Sequence, residues 1–266
     1  MNGPPVVLSI AGTDSGGAAG LAADLTTFAA LGAHGTCAVT AVTAQDTTGV
    51  HAIVPLAAAD VRAQIVAVFD DLPVAAAKAG MLGSAEVAHI VADLVAVSVP
   101  LVVDPVLVAT SGAVLGDDLL VTAYRDVLLP RCAVVTPNLH EAVRLTGLDP
   151  ERPLPEIARA LHEIAPAVVL TGGDPCARVC RDVVIDRLGH LAVLEHPAVP
   201  SSNDHGTGCT FSAALAVHLA RGLDLGPAVR LAQSFVARAL ATSATWQLGR
   251  GRGPVAHVFT HPHKEN

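Results

Sequence analysis

The chain reads Asp204-His-Gly-Thr-Gly-Cys-Thr-Phe211 directly before an apolar, Ala-rich stretch that continues to Ala220. We predict that the Ala-rich stretch is a helix and that the glycines form the turn that enters it. Such a turn directs free backbone N–H groups and the positive end of the helix dipole at one point, which suits a phosphate. The pattern therefore predicts an anion hole at Gly206, Thr207 and Gly208.

The cysteine of this motif, Cys209, lies at the predicted helix start. A helix N-terminus stabilises a thiolate and lowers the pKa of the thiol, so Cys209 is a candidate base. An anion hole beside a proton acceptor is the arrangement that phosphoryl transfer to a hydroxyl needs. Taken alone, the motif favours an ordinary Gly-rich turn and an inert core cysteine, and the rest of the chain reverses that preference.

The composition is typical of one large α/β domain, and we predict a single domain over residues 1–266. Of the 266 residues, 52% are hydrophobic and only 3% are aromatic, so the core must consist of small and branched aliphatic side chains. The mean hydropathy is +0.52, yet Asp, Arg, His or Gly interrupts the apolar segments. We therefore expect no membrane span and no secretory leader.

The charge and the cysteines indicate the compartment and exclude one class of partner. The formal net charge is −8 and no basic stripe is present, so we expect no nucleic acid partner. The cysteines are odd in number and scattered through apolar segments, which favours reduced thiols and a cytoplasmic location. They are Cys37, Cys132, Cys176, Cys180 and Cys209.

Short β-branched runs alternate with longer Ala- and Leu-rich segments. We predict strands at 6–10, 36–42, 75–79, 101–104 and 168–171, a short strand of another layer at 50–56, and a hairpin of 181–186 and 191–196 around Gly189. We predict helices at 21–31, 59–69 and 84–97 and two more that start at Thr207 and Leu225. The alternation of strands and helices continues through 117–129, 133–136, 139–146 and 155–164. Such alternation implies right-handed βαβ crossovers. The expected fold class is α/β, with three layers and a central, mostly parallel sheet covered by helices on both faces.

Polar and Gly-rich clusters follow the predicted strands. They comprise residues 12–20, 45–47 and 80–81, Asp104, Asn138 and the pair Gly172-Gly173. Because ligands of parallel sheets bind beyond the carboxyl ends of the strands, we expect the site there. The two lysines, Lys78 and Lys264, do not follow a G-x-x-x-x-G pattern, so the chain has no Walker A loop.

Two carboxylates and an amide are candidates for a metal site. Asp104 ends an apolar strand, and Asn138 and Glu141 follow another. Oxygen ligands of this kind hold Mg²⁺ directly or through water beside phosphates. Asn138 is also a candidate helix N-cap, with Glu141 completing a capping-box turn. The two interpretations are compatible with each other.

The resemblance to a known family is carried by segments in a specific order and spacing. They are Ile10–Asp14, Gly17–Gly20, Ala23–Phe28, Thr40–Thr47, Gly80–Leu82, Val103–Val106, Thr136–Glu141, His205–Thr210 and Gly249–Pro254. Together they resemble the ribokinase-like superfamily and, within it, the hydroxymethylpyrimidine/phosphomethylpyrimidine kinases of thiamine biosynthesis. The resemblance covers nearly the whole chain and implies a three-layer ribokinase-like fold.

The resemblance implies a role for each matching residue. The aminopyrimidine would be surrounded by Gly12, Asp24, Gln45, Met81 and Val106. The anion hole would be formed by Gly206, Thr207 and Gly208, with Cys209 as the catalytic base. ATP would contact Asn138, Thr171 and Gly173, and Mg²⁺ would face Asp104 and Glu141. Gln45 would offer a donor and an acceptor to the ring nitrogen and amine edge.

The resemblance also sets the expected reaction and its alternatives. It implies ATP- and Mg²⁺-dependent phosphorylation of 4-amino-5-hydroxymethyl-2-methylpyrimidine and of its monophosphate, leaves room for a monovalent cation, and implies a homodimer. Thr171 stands where many relatives have Lys before Gly-Gly, which removes a cation expected near the phosphates. A pyridoxal kinase of the same fold and a non-catalytic pyrimidine-binding relative remain the alternatives.

Overall fold

The computed structural model describes residues 3–94, 99–108, 112, 115–172 and 178–258. Its strands are β1 Val6–Ala11, β2 His34–Val39, β3 Ala41–Asp46, β4 Gly49–Pro55, β5 Val74–Ala79, β6 Leu101–Val103, β7 Val134–Val135, β8 Val168–Leu170, β9 Val179–Ile185 and β10 Leu191–Pro197. Its helices are α1 Gly20–Ala30, α2 Ala58–Asp71, α3 Ala85–Leu94, α4 Asp118–Ala123, α5 Leu139–Thr146, α6 Leu154–His162, α7 Thr207–Ala220 and α8 Leu225–Ser243. A π-helical turn, Tyr124–Leu128, and a 3-10 turn, Leu129–Arg131, follow α4.

One large sheet forms the centre of the molecule, in the order β10-β9-β8-β7-β6-β5-β1-β2. The pairings from β2 to β8 are parallel, and β9 and β10 pair antiparallel at one edge. All six residues of β1 are buried, as expected for a parallel strand that is covered on both faces. Side chains of α2 to α6 pack on one face of the sheet and those of α1, α7 and α8 on the other. The predicted three-layer α/β/α fold is confirmed.

Helix α7 passes through the interior. Its residues from Thr210 to His218 are all buried, because α7 lies between the sheet, α1 and α8. A helix that is apolar on every side is suited to such a position. The predicted helix starts at Thr207 and Leu225 are both confirmed. Among the described residues, no helix is both long and apolar enough to cross a membrane.

The prediction of one strand over residues 36–42 is wrong. The strand divides at Thr40, where β2 ends and β3 leaves to pair antiparallel with β4 in a separate two-stranded sheet. Thr40 is held at this division because its N–H donates to the carbonyl of Ala11 (3.0 Å) and its hydroxyl to the carbonyl of Met81 (2.7 Å). The prediction that residues 50–56 belong to another layer is confirmed by β4.

Candidate active site

The predicted strand-end clusters converge with the start of α7 at one edge of the sheet. The hydroxyl of Ser212, in the second turn of α7, donates to Asp104 Oδ2 at 3.0 Å, and Asp104 follows β6 directly. The loop after β1 closes on the same region, since Leu21 N–H donates to the carbonyl of Gly12 at 3.0 Å. A site assembled from β1, β6 and α7 matches the location that the sequence predicts.

The glycine turn before α7 lies where the anion hole is predicted, and its Thr207 N–H donates to the carbonyl of Asp204 at 3.3 Å. Gly206 has φ +90°, and a Cβ atom at this position would lie 1.8 Å from the carbonyl oxygen of Ala18, so only glycine fits. At Gly208 nothing lies within 4 Å of an added Cβ, which leaves the first turn of the helix open to a ligand. The turn therefore presents the backbone of Gly206, Thr207 and Gly208 beside the loop that follows β1.

Cys209 stands beside this turn, but its acidity differs from the prediction. Burial raises the pKa of its thiol to about 12, against the opposing influence of Lys78, and the carboxylates of Asp104 and Asp24 raise it further. The backbone of Gly20 also hydrogen-bonds to the thiol and acts to lower its pKa. The prediction of a lowered pKa is therefore wrong, because burial outweighs the helix N-terminus.

Lys78 is a component of the site that the sequence interpretation missed. Its side chain has no exposed surface; Nζ lies 2.9 and 3.0 Å from the two carboxylate oxygens of Asp24 and 3.7 Å from Asp104 Oδ2. Burial by itself would lower the pKa of Lys78, but Asp24, Cys209 and Asp104 together raise it above its ordinary value. The sequence does contain a signal for this cluster, namely a lysine near the end of the apolar strand β5, because a buried lysine needs a charged partner.

Asp24 serves this cluster rather than a ligand. Its side chain has no exposed surface, and its oxygens accept hydrogen bonds from Lys78 and, at 2.5 Å, from the hydroxyl of Ser9. The prediction that Asp24 contacts the aminopyrimidine is therefore wrong in this structure. The carboxylate lies beneath the site, where it balances the charge of Lys78.

Asp104 and Glu141 are brought together as a pair of buried carboxylates. Burial raises the pKa of Glu141 well above its ordinary value, and the charge of Asp104 raises it further. Two neighbouring carboxylates that repel each other would be stabilised by a cation. Within the described ranges no group of three or more His, Cys, Asp or Glu side chains has metal-binding geometry. The pair therefore fits Mg²⁺ that keeps several of its waters.

The prediction that Asn138 caps a helix, with Glu141 completing a capping box, is confirmed. The side chain of Asn138 accepts from Glu141 N–H at 3.0 Å, and Glu141 Oε2 accepts from Asn138 N–H at 2.9 Å. This capping box begins α5 and holds Glu141 toward Asp104. The same two side chains thus start the helix and position the predicted metal ligand.

The predicted nucleotide turn lies beside Asn138. Thr171 forms an isolated parallel bridge with Asn138, and its N–H and hydroxyl both donate to the carbonyl of Pro137, at 3.0 and 3.3 Å. Gly172 is required for a close approach, because an added Cβ would lie 2.0 Å from the carbonyl oxygen of Arg181. Gly173, the third predicted ATP contact, lies outside the described residues.

Three of the predicted substrate contacts surround the end of β1. A Cβ on Gly12 would lie 2.4 Å from the Met81 methyl carbon, so these two residues touch. Thr13 hydrogen-bonds to Thr43 of β3 through its hydroxyl and its carbonyl, at 3.1 and 2.9 Å. This contact brings β3, which carries Gln45, over the same strand end. Val106 follows Asp104 and Pro105, beyond β6.

A cavity of about 340 Å³ opens beside Gln45. Gln45 and His205 line it together with the turn between β3 and β4 and the segment from Arg250 to Arg252. Gln45 Nε2 lies 2.9 Å from His205 Nε2. The volume lies within the range of small-molecule sites.

The segment Gly249–Pro254, which the sequence interpretation used only for the resemblance, forms one wall of this cavity. Arg252 makes an ion pair with Asp204, with Nε 2.7 Å from Oδ1. Thr47 Oγ1 accepts the N–H groups of Arg250 and Gly251, both at 3.1 Å. The alternation of Gly with Arg in the sequence could have indicated that this segment lies at the site. Glycine permits the close backbone approach, since a Cβ on Gly251 would lie 2.0 Å from a carbonyl oxygen.

The chain matches a known family over most of its length. The family model described as phosphomethylpyrimidine kinase matches residues 14–256. The hydroxymethylpyrimidine/phosphomethylpyrimidine kinase of Synechococcus elongatus is 41% identical over 96% of this chain and 98% of the relative.

Solved structures agree with the sequence comparison. The ADP complex of Bacillus subtilis pyridoxal kinase has a TM-score of 0.86 at 32% identity, over 96% of this chain and 97% of its own. The phosphomethylpyrimidine kinase of Clostridium difficile has a TM-score of 0.76 at 32% identity, over 88% of this chain and 99% of its own. Both resemblances extend over nearly the whole fold.

Proposed function

The chain belongs to the phosphomethylpyrimidine kinase family, whose members are phosphotransferases of thiamine biosynthesis, and from this premise we propose how its site carries out the reaction. The site transfers the γ-phosphoryl group of ATP to the hydroxymethyl group of 4-amino-5-hydroxymethyl-2-methylpyrimidine, and then to the resulting monophosphate. One observation carries the proposal: the open turn at Gly206–Gly208 stands next to a thiol and a pair of carboxylates.

The residues around this turn divide the chemistry among them. The backbone N–H groups of Gly206, Thr207 and Gly208 stabilise the charge of the transferring phosphoryl group. Cys209 accepts the proton of the substrate hydroxyl as a thiolate, and the positive charge of Lys78 favours that thiolate against the effect of burial on its pKa. Asp104 and Glu141 would hold Mg²⁺, which would neutralise part of the phosphate charge. Positioning and electrostatics thus supply the catalysis.

The nucleotide lies on the side of the site formed by Asn138, Thr171 and the turn that follows Thr171. A lysine at residue 171 would provide a fixed positive charge, whereas threonine offers a hydroxyl that already donates to Pro137. We therefore expect the phosphates to depend strongly on Mg²⁺ and on the anion hole for neutralisation.

The pyrimidine lies against Gly12, Met81 and Val106, with its amine edge facing Gln45. Replacing Gln45 with Leu leaves the polar edge of the ring unpaired and should weaken its binding by about 1–3 kcal/mol. Titration calorimetry measures this loss directly. Equal affinity of Gln45→Leu and the unmodified protein would place Gln45 outside the substrate pocket.

Release of ADP in the presence of each candidate substrate tests the whole proposal. We expect turnover with the hydroxymethylpyrimidine and with its monophosphate. Pyridoxal is the second substrate to test, because the TM-score of this chain against Bacillus subtilis pyridoxal kinase, 0.86, is not lower than the 0.76 against the Clostridium difficile phosphomethylpyrimidine kinase. Turnover with pyridoxal alone would replace the proposal with a pyridoxal kinase. Binding of the pyrimidine without ADP release would indicate a non-catalytic binding protein.

The separate two-stranded sheet supports a homodimer. Val42 and Val54, which pair across β3 and β4, are 50% and 61% exposed and form an apolar surface. Apolar side chains grouped on an exposed sheet are typical of protein interfaces. Light scattering should give twice the chain mass for the unmodified protein and a reduced mass for Val54→Asp. A monomer at micromolar concentration would contradict the dimer.

A further inference from the structure

We propose that His205 fixes the orientation of the Gln45 amide and thereby determines which hydrogen-bonding groups the substrate pocket presents. His205 is a positioning residue in this role, since it acts through Gln45. The inference rests on the proposed pyrimidine site and goes beyond it by assigning the origin of its selectivity.

The two side chains meet at the wall of the cavity. The contact between Gln45 Nε2 and His205 Nε2, at 2.9 Å, joins residues that are 160 positions apart in the chain. His205 Nε2 also lies 3.5 Å from Asp14 Oδ2, and the exposed fractions of the His205 and Asp14 side chains are 8% and 2%. One ring nitrogen of His205 therefore faces both an amide and a buried carboxylate.

Asp14 is held as a carboxylate in a fixed position. Its Oδ1 accepts the N–H of Gly16 at 2.8 Å, and its Oδ2 accepts those of Ala18 and Ala19 at 3.0 and 2.9 Å. Burial by itself would raise the pKa of Asp14, but the hydrogen bonds from His205, Gly16 and Ala19 outweigh it and lower the pKa below its ordinary value. A carboxylate accepts hydrogen bonds and does not donate them.

A contact between two nitrogens is a hydrogen bond only if one of them accepts. If His205 Nε2 accepts from the amide, an unprotonated nitrogen faces the carboxylate of Asp14, which is unfavourable. If His205 Nε2 carries a proton, that one proton is shared between Asp14 and the oxygen of Gln45, once the Gln45 amide is rotated so that its oxygen faces the ring. The negative charge of Asp14 favours the second arrangement.

The main chains on both sides are fixed, which holds the bases of the two side chains in place. Ser15 binds the backbone of Gln45 twice, since its hydroxyl accepts from Gln45 N–H at 2.8 Å and donates to the carbonyl at 2.6 Å. The backbone of His205 pairs with Gly253 and Val255, at 3.0 and 3.2 Å. The charge of Asp14 therefore acts through His205 on an amide whose backbone is held in place.

The second arrangement determines what the pocket reads. With its oxygen held by His205, Gln45 directs its NH₂ group at the ligand, and the second lone pair of the oxygen remains for a ligand N–H. A ring with an unprotonated nitrogen next to an amino group satisfies both groups. A pyridine ring without that amino group leaves the acceptor unpaired, and such unpaired buried groups give strong discrimination.

A double-mutant cycle of His205→Leu and Gln45→Leu tests this coupling. In the otherwise unmodified enzyme, His205→Leu should raise the KM for the aminopyrimidine about 10- to 100-fold and reduce its preference over pyridoxal, while the KM for ATP changes less than about twofold. In the Gln45→Leu background, His205→Leu should have no further effect on the pyrimidine KM. Losses that simply multiply would overturn the proposal.

Two smaller changes provide a matched control and a safeguard against misfolding. His205→Gln places an amide where the Nε2 atom of histidine lies and should retain most of the selectivity, whereas His205→Asn, whose amide reaches only the Nδ1 position, should lose it. Equal selectivity of these two variants would overturn the proposal. Circular dichroism verifies that each variant folds.

The tautomer of His205 is a direct readout that needs no substrate. In the ¹⁵N-histidine-labelled protein, assigned with His205→Gln, we expect the proton on Nε2 in the ligand-free state. A proton on Nδ1 alone would overturn the proposed amide orientation. Because this spectrum is independent of turnover, failure of the wild-type enzyme to phosphorylate the pyrimidine would refute the proposed function without deciding the geometry of His205.

Discussion

Replacing Lys78 with Met should destabilise the protein far more than a surface change. The substitution keeps the length of the side chain and removes its charge, while Asp24 stays completely buried and has lost a partner 2.9 Å away. Breaking a buried ion pair from one side costs about 3–5 kcal/mol. For a domain of this size that corresponds to a fall in Tm of roughly 6–20 °C.

The structure also gives the pH dependence of this loss. Burial already acts to raise the pKa of Asp24, and replacing Lys78 removes the cation that opposes this. A carboxylate whose folded pKa lies above its unfolded pKa destabilises the protein most above the folded pKa, and the penalty disappears below the unfolded pKa. The stability deficit of Lys78→Met should therefore be smaller at pH 5 than at pH 8.

Urea unfolding at these two pH values, followed by circular dichroism, measures both effects. The double variant Lys78→Met with Asp24→Leu removes both charges and should regain most of the lost stability, since apolar replacement of a whole buried pair is often nearly neutral. Ser9→Ala, which removes one hydrogen bond to Asp24, serves as the control and should cost about 1 kcal/mol. A deficit below about 1 kcal/mol for Lys78→Met, or one that grows as the pH falls, would refute the reasoning.

Three further predictions concern catalysis, nucleotide affinity and pH. Cys209→Ala should leave pyrimidine binding nearly intact and lower kcat by about 10²- to 10⁴-fold, with Cys37→Ala as the matched control; near-normal turnover would return Cys209 to the role of a core residue. Thr171→Lys should lower the KM for ATP, by up to roughly tenfold for a charge-assisted contact, without changing pyrimidine affinity. Steady-state kinetics across Mg²⁺ concentrations measures this KM. An unchanged or higher KM would place residue 171 away from the phosphates. The hydrogen bond to Asp182 raises the pKa of His196, so the stabilisation of the fold by protonated His196 is complete below the ordinary histidine pKa and is lost as the pH rises through the raised pKa. The stability difference between the unmodified protein and His196→Gln should therefore shrink from pH 6 to pH 9. A difference that grows over this range would contradict the assignment.

The sequence by itself determined the features that depend on local pattern. Alternation of apolar runs and Ala-rich segments was sufficient for the three-layer architecture, because parallel strands need crossover helices. The start of α7 at Thr207 and the capping box of Asn138 and Glu141 were also predictable, since their hydrogen bonds join residues three or four positions apart. The position of the site followed from the strand ends.

The tertiary structure alone decided the features that depend on contacts between distant segments. The strand of residues 36–42 divides because Thr40 bonds to Ala11 and Met81, and no local pattern encodes these partners. Burial beside Asp104 and Asp24 raises the pKa of the Cys209 thiol, whereas the motif alone predicted the opposite. Burial and long-range electrostatics depend on the packed fold, so they become visible only when the distant segments are in place.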